Sequence, residues 1–137
     1  MTINLERLND AFHMKAVNDA GVEIHLDSSP DHGGKDLGFR PMQLLLAGIG
    51  GCSAIDVIDI LKKQRQDLKG IKIKVDGERE KGKVPSLFTD IHVHFILEGN
   101  VDENKAKKAI ELSLEKYCSV AKTLEKTAKI TSSFEVI

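Results

Sequence analysis

A glycine-rich apolar stretch in the middle of the chain constrains the fold most strongly. Pro41 suits the first turn of a helix, where its missing N–H has no partner to lose, and helical periodicity continues to about Gln66. The first half of this helix is apolar on nearly all sides, which predicts that it is central and buried. Gly48, Gly50 and Gly51 each cost a helix about 1 kcal/mol relative to alanine. We therefore expect another element or a partner chain to approach the helix closely at these glycines.

The rest of the pattern predicts one α+β domain over residues 1–137, since strands stand before and between long helices. A β-hairpin is predicted over Phe12 to Val17 and Val22 to Leu26. Its residues Val22, Ile24 and Leu26 alternate with polar residues and are predicted to face the core. The predicted elements that follow are a loop from Ser28 to Gly38, the long helix, strands at Ile71 to Val75 and Phe88 to Leu97, a helix capped by Asp102, a short helix capped by Ser119 and a closing strand from Ile130 to Ile137.

Composition excludes several classes of partner. The 137 residues carry a formal net charge of −1 and no tryptophan, so neither nucleic acid nor an anionic membrane is an expected partner. The apolar run that ends near Ile55 is too short to span a bilayer, and Glu6 and Asp10 stand where a signal peptide would need apolar residues. We expect a cytoplasmic protein, and in that compartment a cysteine pair is more often redox-active than a structural disulfide.

Two cysteines occupy distinctive places. Cys52 follows the three glycines of the long helix, and Cys118 falls between two helical segments. Either one alone is well explained as a small buried apolar residue. Two thiols are also what a thiol–disulfide cycle needs, in which one forms a sulfenic acid with peroxide and the other condenses with it. That cycle requires the fold to bring the two Cα atoms within roughly 7 Å.

The segments Pro41 to Ala54 and Tyr117 to Leu124 resemble the two signature regions of the OsmC/Ohr family, named for osmotically inducible protein C and organic hydroperoxide resistance protein. The order of the elements matches over nearly the whole chain. The similarity is greatest to the OsmC-like redox branch, which is related to the organic hydroperoxide reductases. The resemblance implies an OsmC-like α+β fold, with antiparallel sheets around a long central helix, and an intertwined homodimer with its active sites at the subunit interface.

The same resemblance implies a function. Cys52 falls on the family's peroxidatic cysteine and Cys118 on its resolving cysteine. The chain is then a thiol-dependent peroxidase-like protein that reduces small organic hydroperoxides, with a dithiol or lipoyl-type reductant and no cofactor. The alternative is a non-catalytic protein of the same fold that binds a small acyl or thiol compound.

One part of the family's site is different in this chain. In the hydroperoxide reductases, a glutamate ten residues before the reactive cysteine orients an arginine from the N-terminal strand region. Met42 stands at that position here, with Gln43 beside it. Lys15 is the only base in the predicted hairpin, and Arg40 precedes the helix. We therefore name Arg40, Lys15 and Gln43 as supporting candidates and leave open what activates Cys52.

No metal site is expected. His92 and His94 form a His-X-His pair on a predicted strand, so both rings point to one face. Such pairs do bind metals, but no third ligand is identifiable. A solvated or interfacial face of the sheet is the favoured interpretation.

Overall fold

The computed structural model describes all 137 residues, which form two compact units, Met1–Leu45 and Leu46–Ile137. The N-terminal unit holds an antiparallel sheet of three strands in the order β1-β2-β3. The strands are β1 (Asn4–Arg7), β2 (Met14–Val17) and β3 (Glu23–Leu26). The single domain over residues 1–137 stays a prediction.

The predicted hairpin is present, but its apolar face is not part of the core. Val22 and Ile24 are 62% and 48% exposed, whereas Ala16 is buried. The alternation correctly indicates strand, but these four-residue strands leave one apolar face uncovered in a single chain. Strand β1 was not predicted, because its sequence Asn-Leu-Glu-Arg shows no apolar alternation.

Asp27 organises the loop that follows β3. Its carboxylate accepts backbone N–H groups from Ser28, Lys35 and Leu37 at 2.7, 3.1 and 3.1 Å. Burial opposes the charged form, but these backbone donors outweigh it and lower the pKa of Asp27 below its ordinary value. The segment predicted as an irregular loop is thus held by one side chain and contains a single 3₁₀ turn, Pro30–His32.

The C-terminal unit contains the second sheet and most of the long helix. Its sheet has the order β4-β5-β6, with β4 antiparallel and β6 parallel to β5. The expectation of wholly antiparallel sheets is therefore wrong for one strand pair. A parallel pair needs a crossover connection, and the two short helices between β5 and β6 provide it. The elements are α1 (Pro41–Lys63), β4 (Asp67–Arg79), β5 (Phe88–Asn100), α2 (Glu103–Leu112), α3 (Ser119–Leu124) and β6 (Lys129–Val136).

Strand β5 supplies the centre of the core. Its predicted alternation is confirmed, since Ile91, Val93, Phe95 and Leu97 have no exposed surface. Helix α2 begins as expected at Asp102, whose side chain accepts the backbone N–H of Lys105 at 2.9 Å. Its buried face consists of Ala106, Ala109 and Ile110.

Helix α1 is less buried than its composition predicted. One stripe along it is buried, namely Ile49, Gly50, Ser53, Val57 and Leu61. On other sides Ile55 is 69% and Ile58 41% exposed. The all-round apolar sequence therefore exceeds what the single chain covers.

The glycines of α1 are only partly explained by packing within the chain. A Cβ atom at Gly50 would lie 3.1 Å from Cγ2 of Val75, so the helix approaches β4 closely there, as expected. At Gly48 the nearest group is Val120, at 3.6 Å. At Gly51 nothing lies within 4 Å, and the single chain gives no packing reason for that glycine.

By length and composition alone, the 23 residues of α1 could cross a membrane. The sequence-based prediction concerns only the apolar run that ends near Ile55, whereas the helix extends beyond this run to Lys63. Core helices of soluble proteins can have the same length and composition.

Candidate functional site

The two cysteines lie together in the C-terminal unit. Cys52 projects from the middle of α1, and Cys118 lies just before α3. Their Sγ atoms and a carboxylate oxygen of Asp56 all lie within 4.8 Å of one another. Both thiols are free, and a disulfide needs about 2.05 Å between its sulfurs. The two sulfurs are therefore near each other but not bonded.

A π-helical turn over Ser113–Tyr117 places Cys118. The backbone N–H of Cys118 donates to the carbonyl of Ser113 at 2.7 Å, which is the i to i−5 bond of such a turn. The Ser113 hydroxyl donates to Oδ2 of Asp56 at 2.9 Å, linking this turn to α1. Single π turns often mark functional sites, and this one joins the segments that carry the two thiols.

Cys118, and not Ser119, is the residue that caps α3. Its Sγ accepts the backbone N–H of Ala121 at 3.4 Å. The prediction of a Ser119 cap is wrong by one residue, because the chain leaves the π turn in an extended conformation at Cys118. Burial, and next the neighbouring Cys52 thiol, raise the pKa of Cys118 to about 11. Cys118 is therefore a protonated thiol at neutral pH.

The two thiols differ in access to solvent. Cys118 has no exposed surface, whereas Cys52 is half-buried. A reagent from solvent therefore meets Cys52 first. Cys118 remains within reach of any group formed on the Cys52 sulfur.

Asp56 is the member of this cluster that the sequence analysis missed. It directly follows Ile55, near which the apolar run ends. The spacing of Cys52 and Asp56 is i, i+4, which places two side chains on one face of a helix. That signal was present, but the carboxylate gains a role only because the turn before α3 brings Ser113 and Cys118 to the same face.

A cavity of about 640 Å³ opens beside Asp56. Its walls are formed by Asp56, Asp59, Ile60, Lys63, Gln64, Leu112 and Tyr117. Lys63 is paired with Asp59 at 2.7 Å. Oε1 of Gln64 is buried and has no hydrogen-bond partner, so the wall keeps one unused acceptor. The cavity is mixed in character, because charged, amide and apolar side chains all contribute to its walls.

Comparison with known proteins identifies the family. Residues 33–133 match the family model described as OsmC-like protein. The chain belongs to the OsmC-like family. It is 45% identical to Protein YhfA of Escherichia coli K12 over 119 residues, covering 86% of this chain and 85% of YhfA. The predicted membership of the OsmC/Ohr family is thereby confirmed.

Two solved structures also support the fold. A hypothetical protein from Aquifex aeolicus VF5 is 35% identical, with a TM-score of 0.81 over 99% of this chain and 96% of that one. An organic hydroperoxide resistance protein OsmC from Legionella pneumophila is 16% identical, with a TM-score of 0.74 over 99% of this chain and 98% of that one. The second likeness concerns the fold alone. The predicted α+β OsmC-like fold is confirmed.

The supporting candidates Arg40, Lys15 and Gln43 all belong to the N-terminal unit of this OsmC-like chain. The Arg40 guanidinium pairs with Asp36 and donates to the carbonyl of Gly38 at 3.2 Å. Oε1 of Gln43 accepts the backbone N–H of Arg40 at 2.9 Å, next to the start of α1. Lys15 is half-buried on β2. Their assistance to Cys52 stays a prediction.

Strand β1 adds a cation that the sequence analysis did not consider. Arg7 lies at the end of β1, opposite Met14 of β2. The N-terminal sheet therefore does contain an arginine, although the predicted hairpin does not. It was missed because β1 itself was missed.

The His-X-His pair has hydroxyl partners. Nδ1 and Nε2 of His92 lie 2.7 and 2.8 Å from the hydroxyls of Thr131 and Ser133, and Nδ1 of His94 lies 2.7 Å from Ser133. Both rings are half-buried. The parallel register of β5 with β6 places these hydroxyl side chains beside the two histidines.

Proposed function

We propose that this OsmC-like protein is a thiol-dependent enzyme that reduces small organic hydroperoxides through Cys52 and Cys118. The observation that carries the proposal is the 4.8 Å limit on the separation of the two sulfurs. Their unequal burial supports different roles for the two cysteines. Peroxide can reach the half-buried Cys52 from solvent, which suits the peroxidatic residue, whereas the buried Cys118 suits the resolving residue. The alternative of a non-catalytic binding protein has no comparable observation in its favour.

The chemistry divides into three balanced steps. The Cys52 thiolate attacks one oxygen of the hydroperoxide, and the O–O bond breaks to give a sulfenic acid and, with one proton, an alcohol. The Cys118 thiol then condenses with the sulfenic acid, forming the disulfide and releasing water. A dithiol reduces the disulfide by exchange and becomes a disulfide itself.

Asp56 fits the second step. Cys118 holds its proton firmly, since its pKa is raised to about 11. A carboxylate within 4.8 Å of both sulfurs can accept that proton as the new bond forms. Ser113 keeps one of its oxygens in place through the 2.9 Å hydrogen bond.

Family membership supports the same chemistry. The Legionella protein, which shares the fold, is described as an organic hydroperoxide resistance protein OsmC and a predicted redox protein. For this chain we propose a small dithiol or a lipoyl-bearing protein as reductant. We propose the cytoplasm as the location, because thiols are kept reduced in that compartment.

We further propose that the chain acts as a homodimer. Apolar side chains remain exposed on α1 and on the N-terminal sheet, including Ile55 at 69%, Leu5 at 57% and Ile24 at 48%. Exposed large apolar side chains that cluster on a surface mark sites of protein–protein interaction. A second copy of the chain covers them without any other partner, as in obligate dimers that resemble a divided core.

The proposed homodimer predicts the molecular mass in solution and a residue whose substitution should disrupt the dimer. We expect light scattering at micromolar concentration to give twice the mass of 15.1 kDa. Ile55→Glu places a charge on the exposed apolar side of α1 and should shift the protein to monomer or to aggregate. Val84→Glu is the matched control, since Val84 is fully exposed in the loop between β4 and β5. A folded wild-type monomer at this concentration would contradict the homodimer.

Formation of the disulfide tests the function directly. One equivalent of cumene hydroperoxide should remove both free thiols of the reduced protein and lower its mass by two hydrogens. A dithiol should restore both thiols. Cys118→Ser cannot form this bond and serves as the control. If both thiols remain free in excess peroxide, the peroxidase proposal fails and the ligand-binding alternative gains support.

A further inference from the structure

We propose that the reduced Cys52–Asp56–Cys118 cluster binds a thiophilic divalent cation, with Zn²⁺ as the best match. The cluster offers two sulfur ligands and one carboxylate oxygen, all within 4.8 Å of one another. The proposal concerns the same residues as the redox function, but it does not depend on peroxide chemistry.

The ligand set selects the class of metal. Thiolates favour zinc and similar soft or borderline ions, whereas Mg²⁺ and Ca²⁺ require sites built almost wholly of oxygen. Three protein ligands with a fourth position open is a common arrangement for zinc. Zinc bonds of about 2.0 to 2.3 Å place tetrahedral ligand atoms roughly 3.5 Å apart. Contraction to that size requires the half-buried Cys52 side chain to turn toward the buried Cys118 sulfur and the Asp56 carboxylate.

The groups around the ligands also suit a metal centre. Ser113 donates to Oδ2 of Asp56 at 2.9 Å, which fixes the carboxylate and leaves Oδ1 for the ion. The backbone N–H of Ala121 donates to the Cys118 sulfur at 3.4 Å. Such outer hydrogen bonds orient ligands and tune the metal in known sites. Each cysteine releases one proton to solvent when it binds the ion.

The cation and the disulfide exclude each other, because both use the same sulfur electron pairs. Bound metal therefore protects the reduced pair from attack. A two-electron oxidant such as a hydroperoxide, which is itself reduced to an alcohol and water, converts the two thiolates to the disulfide, removes two of the three ligands and so releases the ion. The state of the cluster then depends on both the free metal and the oxidant.

Cobalt provides the spectroscopic test. Co²⁺ titrated into reduced, chelator-treated protein should give a sulfur-to-cobalt charge-transfer band that saturates at one ion per chain and disappears on addition of Zn²⁺. Cys52→Ser and Cys118→Ala should each lose at least half of the band and bind at least tenfold more weakly. Asp56→Asn should weaken binding at least tenfold while keeping both sulfur ligands. Asp59→Asn is the matched control, because Asp59 lies one turn along the same helix and pairs with Lys63 outside the cluster.

Two further observations decide the result. Protein oxidised with diamide to its disulfide should give no band. A missing band in the reduced protein overturns the proposal, as does a band that persists unchanged when both cysteines are replaced. Circular dichroism of each variant establishes that it is folded. No peroxide is used, so failure here leaves the peroxidase proposal intact, and the disulfide assay in the presence of chelator tests that proposal by itself.

Discussion

Replacing Cys52 by serine should reduce dithiol-dependent consumption of cumene hydroperoxide to background, a loss on the order of 10³-fold or more. The physical reason is that this sulfur is the accessible member of the pair, and no other group can take over from a covalent nucleophile. The measurement is stopped-flow consumption of peroxide with a dithiol, with chelator present. Ser119→Ala is the control, since Ser119 is exposed and does not cap α3.

Cys118→Ser should give a different defect. One turnover can still occur at Cys52, so a sulfenic-acid probe should accumulate on Cys52 after limited peroxide. In Cys52→Ser no label should appear on Cys118, because burial keeps that thiol protonated and shielded. Labelling of Cys118 instead would reverse the assignment of the two roles. Normal multiple turnover in Cys52→Ser would remove the basis of the mechanism.

The sequence predicts the local elements of this chain well. The alternation along β5 and the cap at Asp102 are confirmed because each depends on a few neighbouring residues and on one face that the chain itself buries. The signature segments around Cys52 and Cys118 indicate the family because each is a short local pattern. Each places a cysteine in a sequence context that packing alone would not require.

Features that depend on distant partners are harder to predict. The all-round apolar pattern of α1 predicts a wholly buried helix, whereas the single chain buries one stripe of it. The exposure of Ile55 is one of the observations on which the proposed homodimer rests. In the same way, Asp56 becomes part of the candidate site only through Ser113, which lies 57 positions further along the chain.

The choice of Cys118 as the cap of α3 shows the limit of local rules. Serine is the better cap by intrinsic preference, so the sequence favours Ser119. The π turn before it ends with Cys118 in an extended conformation, and that backbone geometry gives the cap to the thiol. The capping bond of one helix thus becomes a feature of the candidate redox site.

Phe95→Ala should cause the largest loss of stability, about 3 to 5 kcal/mol. Phe95 has no exposed surface and is the largest fully buried side chain of the protein. Its truncation removes apolar contacts and leaves a cavity that the central strand β5 can close only in part. The measurement is the midpoint of chemical denaturation at one fixed protein concentration, because dimerisation would make stability depend on concentration.

Phe134→Ala is the matched control for this change. Phe134 is the register partner of Phe95 on β6, but it is only half-buried. The same atoms are removed from a site that solvent already reaches, so the loss should be less than half as large. Equal losses for the two variants would mean that the Phe134 side chain is buried as completely as Phe95 in the protein in solution. That result would place the β6 edge in the covered surface of the proposed homodimer.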